Sequence, residues 1–159
     1  MTTDRLRLRP MTRGEFDAWL PQQVAGYAAL IAASGALPAP EARQQAERDT
    51  ARFFSHGFAT PGQLLFRIVA GDTAAGWLWL AVPGPGADPL MAWVCGIEVE
   101  EAFRGHGHGR AAMLLAEDEA RSRGMTSLGL NVHGQNMTAR SLYESLGYQV
   151  TAQQMKKLV

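Results

Sequence analysis

The chain has 159 residues, and its 15 basic and 15 acidic side chains leave no formal net charge at neutral pH. This length is typical of one domain with a single core, which we place over residues 1–159. Balanced charge disfavours a nucleic-acid partner, and no stretch approaches the roughly 18 apolar residues of a membrane-spanning helix. The single cysteine excludes an internal disulfide. We therefore expect a cytoplasmic protein that binds neither membranes nor nucleic acids.

The beginning of the chain predicts a short strand followed by a helix. Residues 6–10 alternate Leu with Arg, which is typical of a half-exposed strand and unlike a secretory signal. Thr12 and Glu15 have the spacing of a capping box, in which each side chain bonds the backbone N–H of the other residue. This pattern predicts a helix that Pro21 interrupts and that resumes over residues 22–33.

A further helix and a β-hairpin are expected next. Residues 41–54 predict a helix that ends in two phenylalanines packed inward. Residues 63–70 and 76–82 predict two antiparallel strands joined around Gly71 and Asp72. The aromatic side chains of this half are expected mainly in the core: Trp19, Tyr27, Phe53, Phe54 and Phe58.

A glycine-rich turn stands between a predicted strand and a predicted helix. The apolar run over residues 91–99 indicates a buried strand, and helical spacing begins after RGHGHG at residues 104–109. Backbone N–H groups at a helix N-terminus attract anions, and glycine lets a ligand approach the main chain closely. The Walker and dinucleotide patterns both fail, because Gly109 is followed by Arg110 and the glycines lie two apart. The turn predicts a phosphate cradle, with a plain tight connection as the alternative.

The next segment predicts a second strand and helix. Residues 126–132 alternate as a strand does, Asn136 is placed to cap a helix, and Gly147 is placed to end it. The apolar side chains of this helix recur at helical spacing: Ala139, Leu142, Tyr143 and Leu146. Two short strands are expected at the end, over residues 148–151 and 154–158.

These two segments resemble the signatures of the GNAT superfamily, the acetyl-CoA-dependent N-acetyltransferases. The first signature, R-x-x-G-x-G, is formed by Arg104, Gly107 and Gly109, and the second, N-x-x-A-x-x-L-Y-x-x-x-G-Y, begins at Asn136. The likeness covers residues 91–158, a little under half of the chain. It is strongest to small bacterial members with I-E-V before the loop, L-x-V-x-G-x-N after it and M-x-K near the C-terminus.

The resemblance implies the α/β (α+β) GNAT fold. This fold is a mixed, mostly antiparallel, twisted sheet of six to seven strands with helices on both faces, splayed open at the fourth strand. It also implies acetyl-CoA as co-substrate and no metal, since two histidines without a third ligand nearby are weak evidence for a metal site. The residues that the resemblance assigns to the cofactor are Ile97, Val99, Arg104, Gly105, His106, Gly107, His108, Gly109, Arg110, Asn136 and Tyr143.

The resemblance further implies transfer of an acetyl group to a primary amine by direct attack. Tyr143 would protonate the departing CoA thiolate. The positions at which relatives carry a general base hold none here: Trp93, Cys95 and Asn131. The remaining choices are Glu98 acting through a water, His133, or no enzymic base. Because Glu98 lies in an apolar strand, a bond to a neighbouring strand is its structural alternative.

Two other functions stay open at this stage. One is a module that binds acyl-CoA without turnover, which the missing base favours. The other is an acyltransferase that uses another acyl-CoA, against which the bulk of Trp77, Trp79 and Trp93 argues. The acceptor is expected to be a small-molecule or peptide amine, and edge strands of such folds allow a homodimer.

Overall fold

The structure is a computed structural model that describes residues 5–159, and these residues form five strands and four α-helices. The strands are β1 (Leu6–Pro10), β2 (Gln63–Ala70), β3 (Thr73–Ala81), β4 (Met91–Val99) and β5 (Ser127–Leu130). The helices are α1 (Arg13–Ala33), α2 (Ala39–Phe53), α3 (His108–Ser122) and α4 (Met137–Ser145). The strands lie side by side in chain order, with antiparallel pairing from β1 to β4 and parallel pairing between β4 and β5.

The alternation of side chains along the strands gives the mixed sheet two covered faces. The first core lies between the sheet and α3, and its large buried side chains are Phe66, Ile68, Leu78, Leu80, Val94 and Met113. The second core lies under α1 and the end of α2, and its members are Met11, Phe16, Trp19, Phe54, Leu65 and Trp79. The prediction of helices on both faces is therefore confirmed.

Helix α1 confirms one local prediction and corrects another. The capping box is present, because Thr12 Oγ1 accepts a bond from the Glu15 N–H and Glu15 bonds the Thr12 N–H in return. The predicted break at Pro21 is wrong, since α1 continues through it for 21 residues. An interior proline costs about 3 kcal/mol. Burial of Phe16 and Trp19 before it, and packing against α2 after it, offset that cost.

The hairpin and the second helix follow the sequence closely. Strands β2 and β3 pair around Gly71, whose φ of 58° is left-handed, as a tight turn requires. Helix α2 begins two residues before the predicted start. Phe54 is buried as expected, but Phe53 is 48% exposed, so the prediction that both phenylalanines point inward is wrong. Phe54 closes the second core, whereas Phe53 only reaches the edge of Trp79.

The C-terminal residues differ from the prediction of six to seven strands. Residues 148–159 form no strand, and β5 pairs only with β4 among the described residues. An extended segment becomes a strand only through a hydrogen-bonded ladder, which alternation alone does not specify. Val150 and Met155 are accordingly exposed by 60% and 92%. The free side of β5 lines an open groove of about 580 Å³, which does not include the glycine-rich turn.

No helix in the described part of the chain is long and apolar enough to cross a membrane.

The Glu15 carboxylate joins β1 to the start of α1. Arg9 donates to both of its oxygens, at 3.0 and 2.6 Å, and the Thr12 N–H donates to one of them at 2.8 Å. These bonds, with that of Arg9 the largest cause, lower the pKa of Glu15 from 4.5 to about 2. Since a lowered pKa means that folding favours the ionised form, this stabilisation is present above pH 4.5 and is lost as the pH falls towards 2.

Replacing Glu15→Gln should therefore lower the free energy of unfolding by about 1–2 kcal/mol at pH 7. Thermal unfolding followed by circular dichroism measures the change, and the gap to the wild type should shrink steadily below pH 4.5. The control is Asp17→Asn, which removes an exposed ion pair with Arg13 and should cost less than about 0.5 kcal/mol. Equal effects of the two substitutions at pH 7 would contradict this role of Glu15.

Candidate active site

Strand β4 extends beyond the end of its parallel partner, β5. Pairing between β4 and β5 ends at Val94 and Leu130, whereas β4 continues to Val99. Cys95 also has no partner on β3, because Gly96 pairs with Trp79 and Val94 with Leu80, which makes a β-bulge. The edge of β4 over residues 95–99 is thus left without a neighbouring strand in the described chain, as the predicted splay requires.

The turn after β4 leaves a helix N-terminus open. A single 3₁₀ turn, Glu101–Phe103, leads to Gly105 and Gly107, which have left-handed φ angles of 76° and 79°. A Cβ atom at either glycine would meet nothing within 4 Å, so the backbone conformation and not packing calls for glycine. Gly107 is the N-cap of α3 and offers no side-chain bond to the first-turn N–H groups. These N–H groups fit an anion such as a diphosphate.

Two side chains brace this turn. The Arg104 Nε donates to the Val99 carbonyl at 2.8 Å, and the exposed guanidinium keeps its other N–H groups for a ligand. The His108 Nδ1 lies 2.8 Å from the Phe103 carbonyl. Because a carbonyl only accepts, Nδ1 must carry the proton. His106 is exposed, and the ring of His108 lies 6.0 Å from it. Arg104 and His108 thus brace the turn through backbone carbonyl groups, whereas His106 makes no such bond within residues 5–159.

Helix α4 packs close to the start of α3. Asn136 caps α4 as predicted, its Oδ1 accepting from the Ala139 N–H at 3.2 Å. A Cβ atom at Gly109 would lie 3.4 Å from Leu142, so the small residue lets the two helices meet. Arg110 donates to the Ser145 hydroxyl across the same contact. This contact holds α4 beside the open end of α3.

Tyr143 lies half-buried on α4, at the border of the first core. Its ring packs edge-on against Tyr148, with centroids 5.9 Å apart, and joins the core that Ile97 and Val99 also border. Its hydroxyl makes no hydrogen bond within residues 5–159. Burial raises the pKa of Tyr143 above its usual value of 10. The hydroxyl therefore stays protonated at neutral pH and is available as a donor.

The opposite face of β4 carries aromatic side chains and one carboxylate. Trp77 on β3 is the cross-strand partner of Glu98, and its ring extends over Gly96. Trp93 extends in the same way over Gly129 on β5. Glu98 is exposed and has no hydrogen-bond or ion-pair partner in the described chain, which rules out the bond to a neighbouring strand that was its structural alternative.

The predicted site residues thus divide between the two faces of the sheet. On the α3 side, or at its edge, lie the residues assigned to the cofactor: Ile97, Val99, Arg104, Gly105, His106, Gly107, His108, Gly109, Arg110, Asn136 and Tyr143. Glu98 lies on the α1 side with Trp77. His133 and Asn131 are exposed in the segment between β5 and α4. The sequence analysis missed the bulge and the two tryptophan contacts, although glycines inside strands are a signal for close approach.

No group of three or more His, Cys, Asp or Glu side chains within residues 5–159 is placed to hold a metal ion.

Comparison with known proteins identifies the family to which the chain belongs. Residues 30–148 match the acetyltransferase (GNAT) family. The chain is 31% identical over 155 residues to the uncharacterized N-acetyltransferase YdgE of Bacillus subtilis strain 168, covering 94% of this chain and 96% of that protein. The crystal structure of YycN, an uncharacterized N-acetyltransferase of the same organism, superposes with a TM-score of 0.90 at 28% identity, covering 97% and 98% of the two chains. The aminoglycoside N-acetyltransferase AAC(6')-Iy, solved with a CoA bisubstrate analogue, shares the fold alone, with a TM-score of 0.63 at 14% identity over 97% of each chain.

An opened fourth strand that leads through a glycine-rich turn into an uncapped helix is the arrangement of an acyltransferase that uses acyl-CoA. The chain belongs to the acetyltransferase (GNAT) family, because its match to that family covers residues 30–148, more than half of the chain. The resemblance seen in the sequence is confirmed, and the protein is an enzyme of the N-acetyltransferase class.

Cys95, which stands at one of the empty base positions, is a poor proton acceptor at neutral pH. Burial raises the pKa of its thiol from the usual 9.0 to about 11. Because only the thiolate reacts with alkylating agents, this two-unit rise should slow labelling by iodoacetamide at pH 8 about a hundredfold relative to the urea-unfolded chain. Steric shielding would lower the rate at every pH without moving the midpoint of the profile. A folded-state midpoint near pH 9 would contradict the shift.

Proposed function

We propose that this enzyme transfers the acetyl group of acetyl-CoA to a primary amine of a small molecule or peptide by direct attack. The observation that carries the proposal is the open N-terminus of α3 beside the unpaired edge of β4. Within residues 5–159, the two other α-helices that follow a strand have side-chain caps, Thr12 in α1 and Asn136 in α4, whereas α3 has none. Acyl-CoA supplies the activated acyl group as a thioester.

The cofactor is proposed to lie on the α3 side of the sheet. The N–H groups of the first turn of α3 would bind the diphosphate, and the free guanidinium N–H groups of Arg104 would add a positive charge. The edge of β4 over residues 97–99 would receive the arm that carries the thioester and polarise its carbonyl. Asn136 would flank this arm while capping α4.

The proposed reaction forms one C–N bond and breaks one C–S bond. The amine nitrogen attacks the thioester carbonyl carbon, and the electron pair of the C–S bond leaves on sulfur. Tyr143 donates its hydroxyl proton to that sulfur, and the amine loses a proton to water held by Glu98. His133 is the alternative acceptor, and an amine that arrives uncharged needs none.

Binding of acetyl-CoA is the first test of the proposal. Replacing Gly107→Glu places a carboxylate at the open helix end and a side chain at a left-handed φ, so it should abolish binding measured by isothermal titration. The control is Gly26→Glu, which adds the same charge on an exposed turn of α1 with nothing within 4 Å. A folded wild type that does not bind acetyl-CoA would refute the proposal, as would full binding by Gly107→Glu.

Replacing Tyr143→Phe should lower kcat about a hundredfold and leave the dissociation constant of acetyl-CoA almost unchanged. The reason is that the hydroxyl acts only when the sulfur leaves. Steady-state rates over a range of pH measure the effect, and the alkaline fall of the wild-type rate should come at a higher pH than an unperturbed tyrosine would give, because burial raises the pKa of Tyr143.

The matched control is Tyr148→Phe, which removes the hydroxyl that donates to Glu117 at 3.1 Å. It should lower stability by about 1 kcal/mol and leave kcat unchanged. If both substitutions lower kcat equally, Tyr143 acts through packing and not as an acid.

A module that binds acyl-CoA without turnover is the second candidate, because Trp93 and the protonated thiol of Cys95 occupy positions of a base. Tight binding of acetyl-CoA with no turnover over a panel of primary amines would favour it.

A further inference from the structure

We infer that the acceptor is a singly charged primary amine carried on a flat aromatic group, bound on the α1 face of β4. This inference rests on the proposed function, since it names the class of amine that reaches the proposed acyl site. It rests on the cross-strand pair of Trp77 and Glu98, whose carboxylate has no partner in the described chain, with Trp93 on the same face of the sheet.

The ring of Trp77 reaches across to the backbone of β4. A Cβ atom at Gly96 would lie 2.8 Å from two carbons of this ring, so only glycine lets the ring rest on the β4 backbone. The ring of Trp19 packs against that of Trp77 at a steep angle of 69°, with centroids 5.4 Å apart. Trp77 nevertheless remains only half-buried, which leaves part of a rigid ring open to a ligand.

Trp93 places a second aromatic ring on the same face of the sheet, over β5. A Cβ atom at Gly129 would lie 2.3 and 2.5 Å from its ring carbons, so the ring lies across β5 in the same manner. Met91, which is 37% exposed, borders it on the same face. Trp93 and Met91 therefore add apolar area to this face near the start of β4, and flat aromatic groups pack against exposed aromatic rings.

The charges around this surface fit one cation and no anion. Arg9, Arg67, Trp77 and Glu98 are successive cross-strand partners and form one row over four strands. Glu15 meets the two arginines, at 2.6 and 3.7 Å, whereas Glu98 at the other end of the row has no partner in the described chain. An ammonium group beside Trp77 would gain both the carboxylate and a cation–π contact. A second positive charge would have to lie on the apolar surface.

The spacing suits a short link between the ring and the amine. Glu98 lies two residues beyond Gly96, which is about 7 Å along an extended strand. A ring on Trp77 therefore places an amine on a short alkyl chain near the carboxylate.

An amine bound on the α1 face would reach the acyl group from that side of the sheet. Tyr143 and the turn that would hold CoA lie on the α3 side, and the edge of β4 over residues 95–99 separates the two sides. An amine on the α1 face would meet a thioester at this edge from the side opposite to Tyr143. Attack and departure of the sulfur would then occur on different faces.

The test compares 2-phenylethylamine with 2-cyclohexylethylamine, which have the same carbon count, spacer and charge but differ in the flatness of the ring. We expect kcat/KM with acetyl-CoA to be about tenfold higher for the phenyl compound. Spermidine and phenylalanine, with extra positive and negative charge, should both be poor acceptors. Equal values for the two ring amines would overturn the inference.

Variants test whether Trp77 and Glu98 cause the preference for the phenyl compound. Trp77→Leu should reduce the tenfold ratio to about one, and Tyr27→Leu, which removes an exposed aromatic of α1, should keep it. Glu98→Gln should reduce the advantage of 2-phenylethylamine over phenylalanine. Thermal unfolding checks that each variant folds. If Trp77→Leu does not fold, Gly96→Ala replaces it, because the added methyl group displaces the Trp77 ring without removing it. An unchanged ratio in the folded variant would overturn the assignment to Trp77.

Direct titration of the two ring amines separates this inference from the proposed function. It is carried out on the protein alone and on the protein saturated with CoA. Tighter binding of the phenyl compound, lost in Trp77→Leu, supports the aromatic site even without turnover. Equal affinities overturn it even if another amine is acetylated. Failure to bind acetyl-CoA counts against the proposed function alone.

Discussion

The early end of the β4–β5 ladder is the constraint on which the site depends. Backbone N–H and C=O groups need partners, and those on the edge of β4 beyond Val94 find none in a neighbouring strand of the described chain. The bulge at Cys95 turns the strand at the same place. A strand edge of this kind binds an extended ligand as an additional strand would, so a polar arm with amide groups fits it. The glycine-rich turn continues from this edge, which brings strand and helix N-terminus to one ligand.

The two faces of the sheet would have different roles in the proposed reaction, with CoA bound on one and the acceptor on the other. The α3 face has tight helix contacts, with Gly109 against Leu142 and Arg110 against Ser145, and these hold the open helix end rigid. The α1 face has large aromatic side chains, two of which, Trp77 and Trp93, reach over strand glycines. A rigid cradle suits a constant ligand such as CoA. An aromatic surface selects by shape, and substitutions there can change the acceptor without disturbing the cradle.

Local signals in the sequence predicted the parts of the structure that local chemistry decides. The capping residues Thr12 and Asn136 and the turn at Gly71 depend on neighbours within a few positions, and all three are confirmed. The strand over residues 91–99 was predicted with its true ends, because a segment rich in proline and glycine, residues 83–89, precedes it and two glutamates, Glu100 and Glu101, follow it. The family signatures likewise lie within short segments.

The failures concern partners distant in the chain. Whether residues 148–159 form strands depends on a ladder with β5, and whether Pro21 breaks its helix depends on packing of both halves. The exposure of Glu98 depends on how far the helices of the α1 face extend over β4, which periodicity does not encode. The aromatic contacts were also hidden, because a glycine in a strand signals close approach without naming the side chain that approaches.

Positions 93 and 95 of β4 carry no carboxylate or imidazole that could accept the amine's proton. How easily the amine loses that proton therefore depends on the groups that surround the bound acceptor. A buried carboxylate beside the amine would hold it as ammonium and oppose attack, since only the free base is a nucleophile. Glu98 is exposed, so water screens its attraction and the cost of losing the proton stays small. A ring held on Trp77 would remain bound in either charge state. Affinity would then come from the ring and reactivity from the nitrogen, so the amine can lose its proton without leaving the site. Direct attack under these conditions needs mainly proximity, which the fixed ring supplies.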